Sequence, residues 1–132
     1  MKFLLPKLLR VLLKLNQFEA AIETYNKAIS VNPICFEGYY NRGTALQALQ
    51  QFKNAVASYD DALSLNPDYF KAYYNRGNAL RELQKFTEAI ESYDRAIGLN
   101  SVFFEAHSNR GIALHDIKQY VVMDQVCTWS HY

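Results

Sequence analysis

The sequence predicts an all-α fold, a solenoid of antiparallel helix hairpins, and three observations predict it. Residues recur every 34 positions: Tyr39-Tyr40-Asn41-Arg42-Gly43 returns as Tyr73-Tyr74-Asn75-Arg76-Gly77 and, altered, as His107-Ser108-Asn109-Arg110-Gly111. Residues 36–69 and 70–103 align without a gap, with 18 identities in 34. Small and apolar residues fall at helical spacing, and no segment alternates with the period of a strand over a useful length. A fixed period of this size means that each repeat buries its apolar face only against its neighbours, and a chain so built presents a surface.

About eight helices are expected, at 2–15, 19–31, 36–49, 53–65, 70–83, 87–99, 104–117 and 120–130. Helix 2–15 has a leucine face with Leu9 at its centre. Helix 19–31 carries Phe18, Ala21, Tyr25 and Ala28 and stops before Pro33. In helix 36–49, Tyr39, Gly43, Leu46 and Gln50 share one face. A mid-helix glycine costs about 1 kcal/mol relative to alanine, which makes sense where another helix approaches too closely for a Cβ. Helix 53–65 supplies the matching face, Ala55, Tyr59 and Ala62, so that one ring flanked by small residues fills the space over the glycine. Asn66-Pro67 ends it, because proline disfavours helical geometry in the residue before it. The turn at Gln50-Gln51-Phe52 is short, and short connections make neighbouring helices antiparallel.

Helices 70–83 and 87–99 repeat the scheme with Tyr73, Gly77 and Leu80, then Ala89, Tyr93 and Ala96; Ser101 replaces the proline. Helix 104–117 keeps the first-helix pattern. Helix 120–130 has Met123, Cys127 and Ser130 where the pattern wants Ala, Tyr and Ala, and Val122, Val126 and Trp129 form an apolar stripe.

These residues resemble the tetratricopeptide repeat (TPR) family. Residues 36–69 match as Tyr39-x-x-Arg42-Gly43-x-x-Leu46, then Ala55, Tyr59, Ala62 and Pro67. The resemblance implies a right-handed superhelical solenoid whose first helices line a concave side. It makes residues 1–132 a single TPR-like domain of four repeats, 2–35, 36–69, 70–103 and 104–132, the first and last degenerate. Terminal repeats that cap a stack are expected to be atypical.

Bulk composition narrows the function. Half the residues are apolar and a fifth charged, as in a folded globular protein. The net charge of +1 argues against bulk attraction to nucleic acid. Lys2, Lys7, Arg10 and Lys14 put +4 on the first fifteen residues and leave −3 on the rest. Cys35 and Cys127 are far apart and in no metal spacing, which fits free thiols in a reducing, cytoplasmic compartment. No stretch reaches the ~18 apolar residues needed to span a membrane. Charges interrupt any apolar signal core near Met1. There is no glycine-rich phosphate loop, no His-Glu-x-x-His and no Cys-x-x-Cys, and His107, His115 and His131 share no ligand spacing. No catalytic residue, metal or cofactor is expected, and the chain does not read as an enzyme. His107 takes the place of Tyr39 and Tyr73 and reads as a packing residue.

The expected activity is binding a protein or peptide segment in the concave groove. Asn41, Asn75 and Asn109 sit two residues before each glycine, on a face rotated from the packing face. An asparagine amide donates and accepts, so it can hold an extended peptide backbone, the favoured use, or bridge neighbouring helices. Tyr40 and Tyr74 bring amphipathic rings of a type enriched at interfaces. With Thr44, Lys71, Asn78 and Arg81 they complete the candidate contacts: Tyr40, Asn41, Thr44, Lys71, Tyr74, Asn75, Asn78, Arg81 and Asn109.

TPR domains of co-chaperones carry a clamp for a C-terminal carboxylate. Carried over by resemblance, Asn41 and Lys71 match it, Arg10 stands for an asparagine, Pro6 for a lysine and Asn75 for an arginine. Arg76 with Asp60 and Arg110 with Asp94 are expected to pair between repeats, and Arg42 would meet only the neutral Asn26. The alternative function is a scaffold that oligomerises, for example as a homodimer, through its apolar terminal helices. A third reading, helix 2–15 as a membrane-surface anchor, conflicts with Pro6 and with the repeat register.

Overall fold

In the computed structural model, residues 4–129 are described, with side chains from 7 to 126. They form six α-helices and no strand. The chain divides into two compact units, residues 1–67 and 68–132. The first contains α1 (Leu4–Val31), α2 (Phe36–Ala48) and α3 (Phe52–Leu65). The second contains α4 (Phe70–Glu82), α5 (Phe86–Leu99) and α6 (Phe104–Trp129). In the first unit α2 packs on both α1 and α3. In the second, α5 packs on both α4 and α6, and α4 touches α6.

The α2–α3 and α4–α5 hairpins are built as expected, and the glycine explains their closeness. A Cβ placed on Gly43 would stand 2.6 Å from Tyr59 Cε1, and one on Gly77 would stand 2.6 Å from Tyr93 Cε1. Both rings are fully buried, between Ala55 and Ala62 in α3 and between Ala89 and Ala96 in α5. Each first helix ends in the same turn. Gln51 N–H donates to the Leu46 carbonyl and Gln50 N–H to the Gln47 carbonyl, both at 2.9 Å. Lys85 and Gln84 repeat this on Leu80 and Arg81. These paired bonds satisfy the carbonyls of a helix C-terminus. They require a left-handed residue, which here is glutamine rather than glycine, with φ 62° at both Gln50 and Gln84. A side chain in that region costs about 1–2 kcal/mol, so hairpin packing must hold the turn in place.

That dependence explains where eight expected helices become six. The hairpins expected at 2–31 and 104–130 are single continuous helices: α1 and α6 run through the anticipated turns at Asn16 and Lys118. In α1, Leu9 occupies the glycine position and blocks the approach of Tyr25. In α6 the glycine is present, but Cys127 stands where a ring is needed. Neither hairpin can bury its ring in a glycine gap, and a strained turn without compensation gives way to continued helix. Tyr25 is only half-buried, and Leu8, Leu9, Val11, Leu12, Leu13 and Leu15 lie exposed on the first half of α1. Tyr120, Val121, Val122, Met123 and Val126 lie exposed on the second half of α6. Trp129, expected on the same stripe, has a side chain outside the described residues.

Candidate functional site

In the second unit, α4 and α6 bring three expected contact residues together. Asn109 Nδ2 donates to the Tyr74 hydroxyl at 3.0 Å and to Asn78 Oδ1 at 2.9 Å. The buried Tyr93 hydroxyl donates to the same Asn78 oxygen at 2.6 Å. Asn109 therefore bridges helices, the structural one of its two expected uses. Asn78 spends its acceptor inside the protein, so its amide N–H groups are what it offers outward. The Tyr74 ring packs edge-on against Phe103, with centroids 4.8 Å apart. Phe103 meets Phe70 at 5.3 Å in the same manner. One helical turn beyond Asn78, Arg81 is half-buried, and its Nη1 is buried with no acceptor among the described residues. Burial pushes the Tyr93 phenol up to about 12; the Arg81 charge works against this, while Tyr74, Glu82 and Asp116 add to it. Asn75 is half-buried on the same helix, and Lys71 is exposed at its start.

In the first unit the equivalent face lies on α2. Tyr40 tilts against Tyr59 with centroids 5.9 Å apart. Asn41 is half-buried, and its backbone carbonyl accepts from the Thr44 hydroxyl at 2.7 Å. Thr44 thus bonds back into its own helix. Gln47, absent from the expected contacts, accepts the Tyr59 hydroxyl at 2.7 Å through Oε1. Burial, with Tyr40 next, raises the Tyr59 phenol well above the ordinary tyrosine range. Gln47 lies one turn beyond Thr44, and Asn78 stands at the Thr44 position of the next repeat. The acceptor for the buried phenol thus moves between positions, so strict repetition could not reveal it.

The arginines act as fasteners. Arg110 Nε meets Asp94 Oδ1 at 2.6 Å, the expected pair. Arg42 Nη1 donates to Asn26 Oδ1 at 3.0 Å, the expected neutral bond. It does more than that, because Nε donates to the buried Ser58 hydroxyl at 3.0 Å and Nη2 lies 3.6 Å from Asp61. Arg76 Nη1 donates to the equivalent Ser92 at 2.7 Å. Ser58 and Ser92 recur in register and could have been found from the repeat. His107 is exposed rather than packed, yet its Nε2 lies 2.9 Å from the Ser101 carbonyl, as the Tyr39 hydroxyl bonds Pro33 at 3.0 Å. Among the described residues no group of three metal-ligating side chains occurs, and no helix is long and apolar enough to cross a membrane.

The two sequence patterns that match this chain are both of the repeat type that the glycine–tyrosine hairpins suggest. One, described as "Tetratricopeptide repeat", matches residues 40–102 and 74–121, and a second, described as "TPR repeat", matches residues 10–50. The chain belongs to the tetratricopeptide repeat family. No curated protein matches it in sequence. Among solved structures it is similar to the first TPR of Spaghetti (RPAP3) bound to the HSP90 peptide SRMEEVD, with 31% identity over 78% of this chain and 82% of that one and a TM-score of 0.76. It is also similar to the second TPR domain of human RPAP3 in complex with the HSP70 peptide SGPTIEEVD, with 26% identity over 74% and 82% and a TM-score of 0.72. The Arabidopsis OM64 TPR domain shares 28% identity over 74% of this chain and 81% of that one, with a TM-score of 0.72.

Proposed function

We propose that this chain is a non-enzymatic interaction module that binds a peptide segment on the face formed by α4 and α6, and that α2 carries an equivalent set in Tyr40, Asn41 and Thr44. The observation that carries this reading is Arg81. A guanidinium nitrogen buried without an acceptor is costly, and because the Arg81 side chain is only half-buried, turning it outward would let a ligand's carboxylate or carbonyl satisfy it. Asn78 offers N–H donors one turn away, and Tyr74 offers a ring fixed edge-on by Phe103. Donors, a cation and a braced ring suit an extended peptide with an acidic group. The peptides held by the two RPAP3 domains have that composition, which supports the assignment.

The carboxylate clamp of co-chaperones is a poorer description. The resemblance puts its first asparagine on Arg10, and the continuous α1 carries Arg10 about 22 Å along the helix axis from Tyr25 instead of folding it back beside α2. A seven-residue peptide ending in Glu-Glu-Val-Asp, titrated beside its C-terminally amidated form, tests the reading. Arg81→Ala is expected to weaken binding by about 10- to 100-fold, the loss of one charge-assisted bond. Equal affinities of wild type and Arg81→Ala would refute the site.

The exposed apolar halves of α1 and α6 support a second reading, a scaffold that self-associates through its terminal helices. Concentration-dependent mass in sedimentation equilibrium tests it; a strictly monomeric chain at high concentration would remove it.

A further inference from the structure

Both complete hairpins are closed by a tyrosine ring seated on a glycine, and the chain contains one unpaired half of that contact at each end. On α6, Gly111 stands at the position of Gly43 and Gly77, but a Cβ placed there would meet nothing within 4 Å. Leu114, the counterpart of Leu46 at 8% and Leu80 at 2% exposure, is 39% exposed. On α1, Tyr25 stands at the position of Tyr59 and Tyr93 but is only half-buried, and Ala28, counterpart of the fully buried Ala62 and Ala96, is exposed. One end holds a first helix without its second, and the other holds a second helix without its first.

We propose that α6 of one copy and α1 of a second copy form the missing hairpin, with Tyr25 of the second copy seated on Gly111 of the first. The polar fittings agree. His115 stands at the position of Gln47, which accepts the Tyr59 hydroxyl at 2.7 Å; its Nε2 lies 3.2 Å from Gln119 Nε2, a contact that the Tyr25 hydroxyl would replace. Thr24 stands at the position of Ser58 and Ser92, each of which bonds the arginine that precedes its glycine, so a hydroxyl is in place for Arg110.

The continuity of both helices completes the match. In either hairpin the first helix ends where the second begins, so extensions of α6 and α1 past that point run side by side and antiparallel. The register fixed by Gly111 and Tyr25 sets Val121 against Leu15 and Val122 against Lys14. It also places Asp124 between Arg10 and Lys14, an acid between two bases. Leu8, Val11, Leu15, Phe18, Ile22 and Tyr25 alternate in steps of three and four, the seam that antiparallel helices bury. The pairing covers Leu8, Val11 and Leu15 of α1 and the valines of α6 together. It is heterologous, so each copy keeps one end open for the next.

The proposal rests on the self-association reading and specifies its contact. Gly111→Ala tests it directly, because the new methyl group meets nothing in the single chain but would stand in the seated ring. This variant should fold at least as well as wild type and self-associate ~10-fold or more weakly. Tyr25→Ala should weaken self-association at least as much. Each of these variants retains the opposite working end. Mixed, they should form a one-to-one complex of twice 15.3 kDa and nothing larger. Gly98→Ala, at another glycine with nothing within 4 Å of its Cβ, should leave association unchanged. A monomeric wild type would overturn both the pairing and the self-association reading. Association undiminished in Gly111→Ala, or two variants that fail to complement, would overturn the pairing alone.

Discussion

Replacing Gly77 by alanine sets two effects of opposite sign against each other. Alanine is the better helix former by about 1 kcal/mol, so in open surroundings the change stabilises. At Gly77 the added Cβ would lie 2.6, 2.8 and 3.0 Å from three carbons of the Tyr93 ring. That ring is fully buried between Ala89 and Ala96 and tethered by a 2.6 Å hydrogen bond to Asn78. It can retreat only by parting α4 from α5 or by giving up the tether. Overpacking of this kind costs about 1–3 kcal/mol, and loss of the tether adds about 1 kcal/mol. After the propensity gain, Gly77→Ala is expected to destabilise by about 1–3 kcal/mol. Gly98→Ala, with nothing near its Cβ, is expected to stabilise by up to about 1 kcal/mol. Urea unfolding of the two variants beside wild type measures both. A Gly77→Ala protein as stable as Gly98→Ala would refute the account of why these helices carry a glycine.

Other predictions follow from the same contacts. The Tyr93 phenol is raised in the folded state, so its contribution to stability is fully present below the ordinary tyrosine value near pH 10. That contribution should fall away as the pH rises towards about 12, and an alkaline denaturation series on wild type and Tyr93→Phe should show the loss diminished in the variant. Ser58→Ala should cost about 1–3 kcal/mol, because it removes a buried partner of the Arg42 guanidinium; thermal unfolding reads it. Asp94→Ala removes a pair exposed on both sides, so its cost should not exceed about 1 kcal/mol and should shrink in high salt.

The inner hairpins were legible because each of their requirements is local in sequence. Gly43 and Gly77 announce a close approach, Tyr59 and Tyr93 announce what approaches, and both meet as expected. The ends were misread for a physical reason. Asn16 and Lys118 occupy turn positions, but a left-handed turn survives only when the helices on either side lock together, and Leu9 and Cys127 remove the lock. The candidate face was partly legible. Tyr74, Asn78 and Asn109 do come together, but the repeat could not say that Asn109 would spend both donors on its neighbours. Nor could it say that Arg81 would bury a nitrogen without an acceptor, since His115 and Gln47 hold that position elsewhere.

The fasteners share one spacing. Arg42 reaches back to Asn26 and forward to Ser58, Arg76 reaches forward to Ser92, and Arg110 reaches back to Asp94, each across 16 residues. Gly43 and Tyr59, like Gly77 and Tyr93, are the same distance apart. Closing a loop of that length costs about 2.5 kcal/mol of chain entropy, and no contact of this set asks for more. Folding can therefore begin at either complete hairpin, proceed by short closures and run quickly, as local contacts permit. Amide protons in α2 to α5 should then exchange last, and those in the overhanging halves of α1 and α6 first.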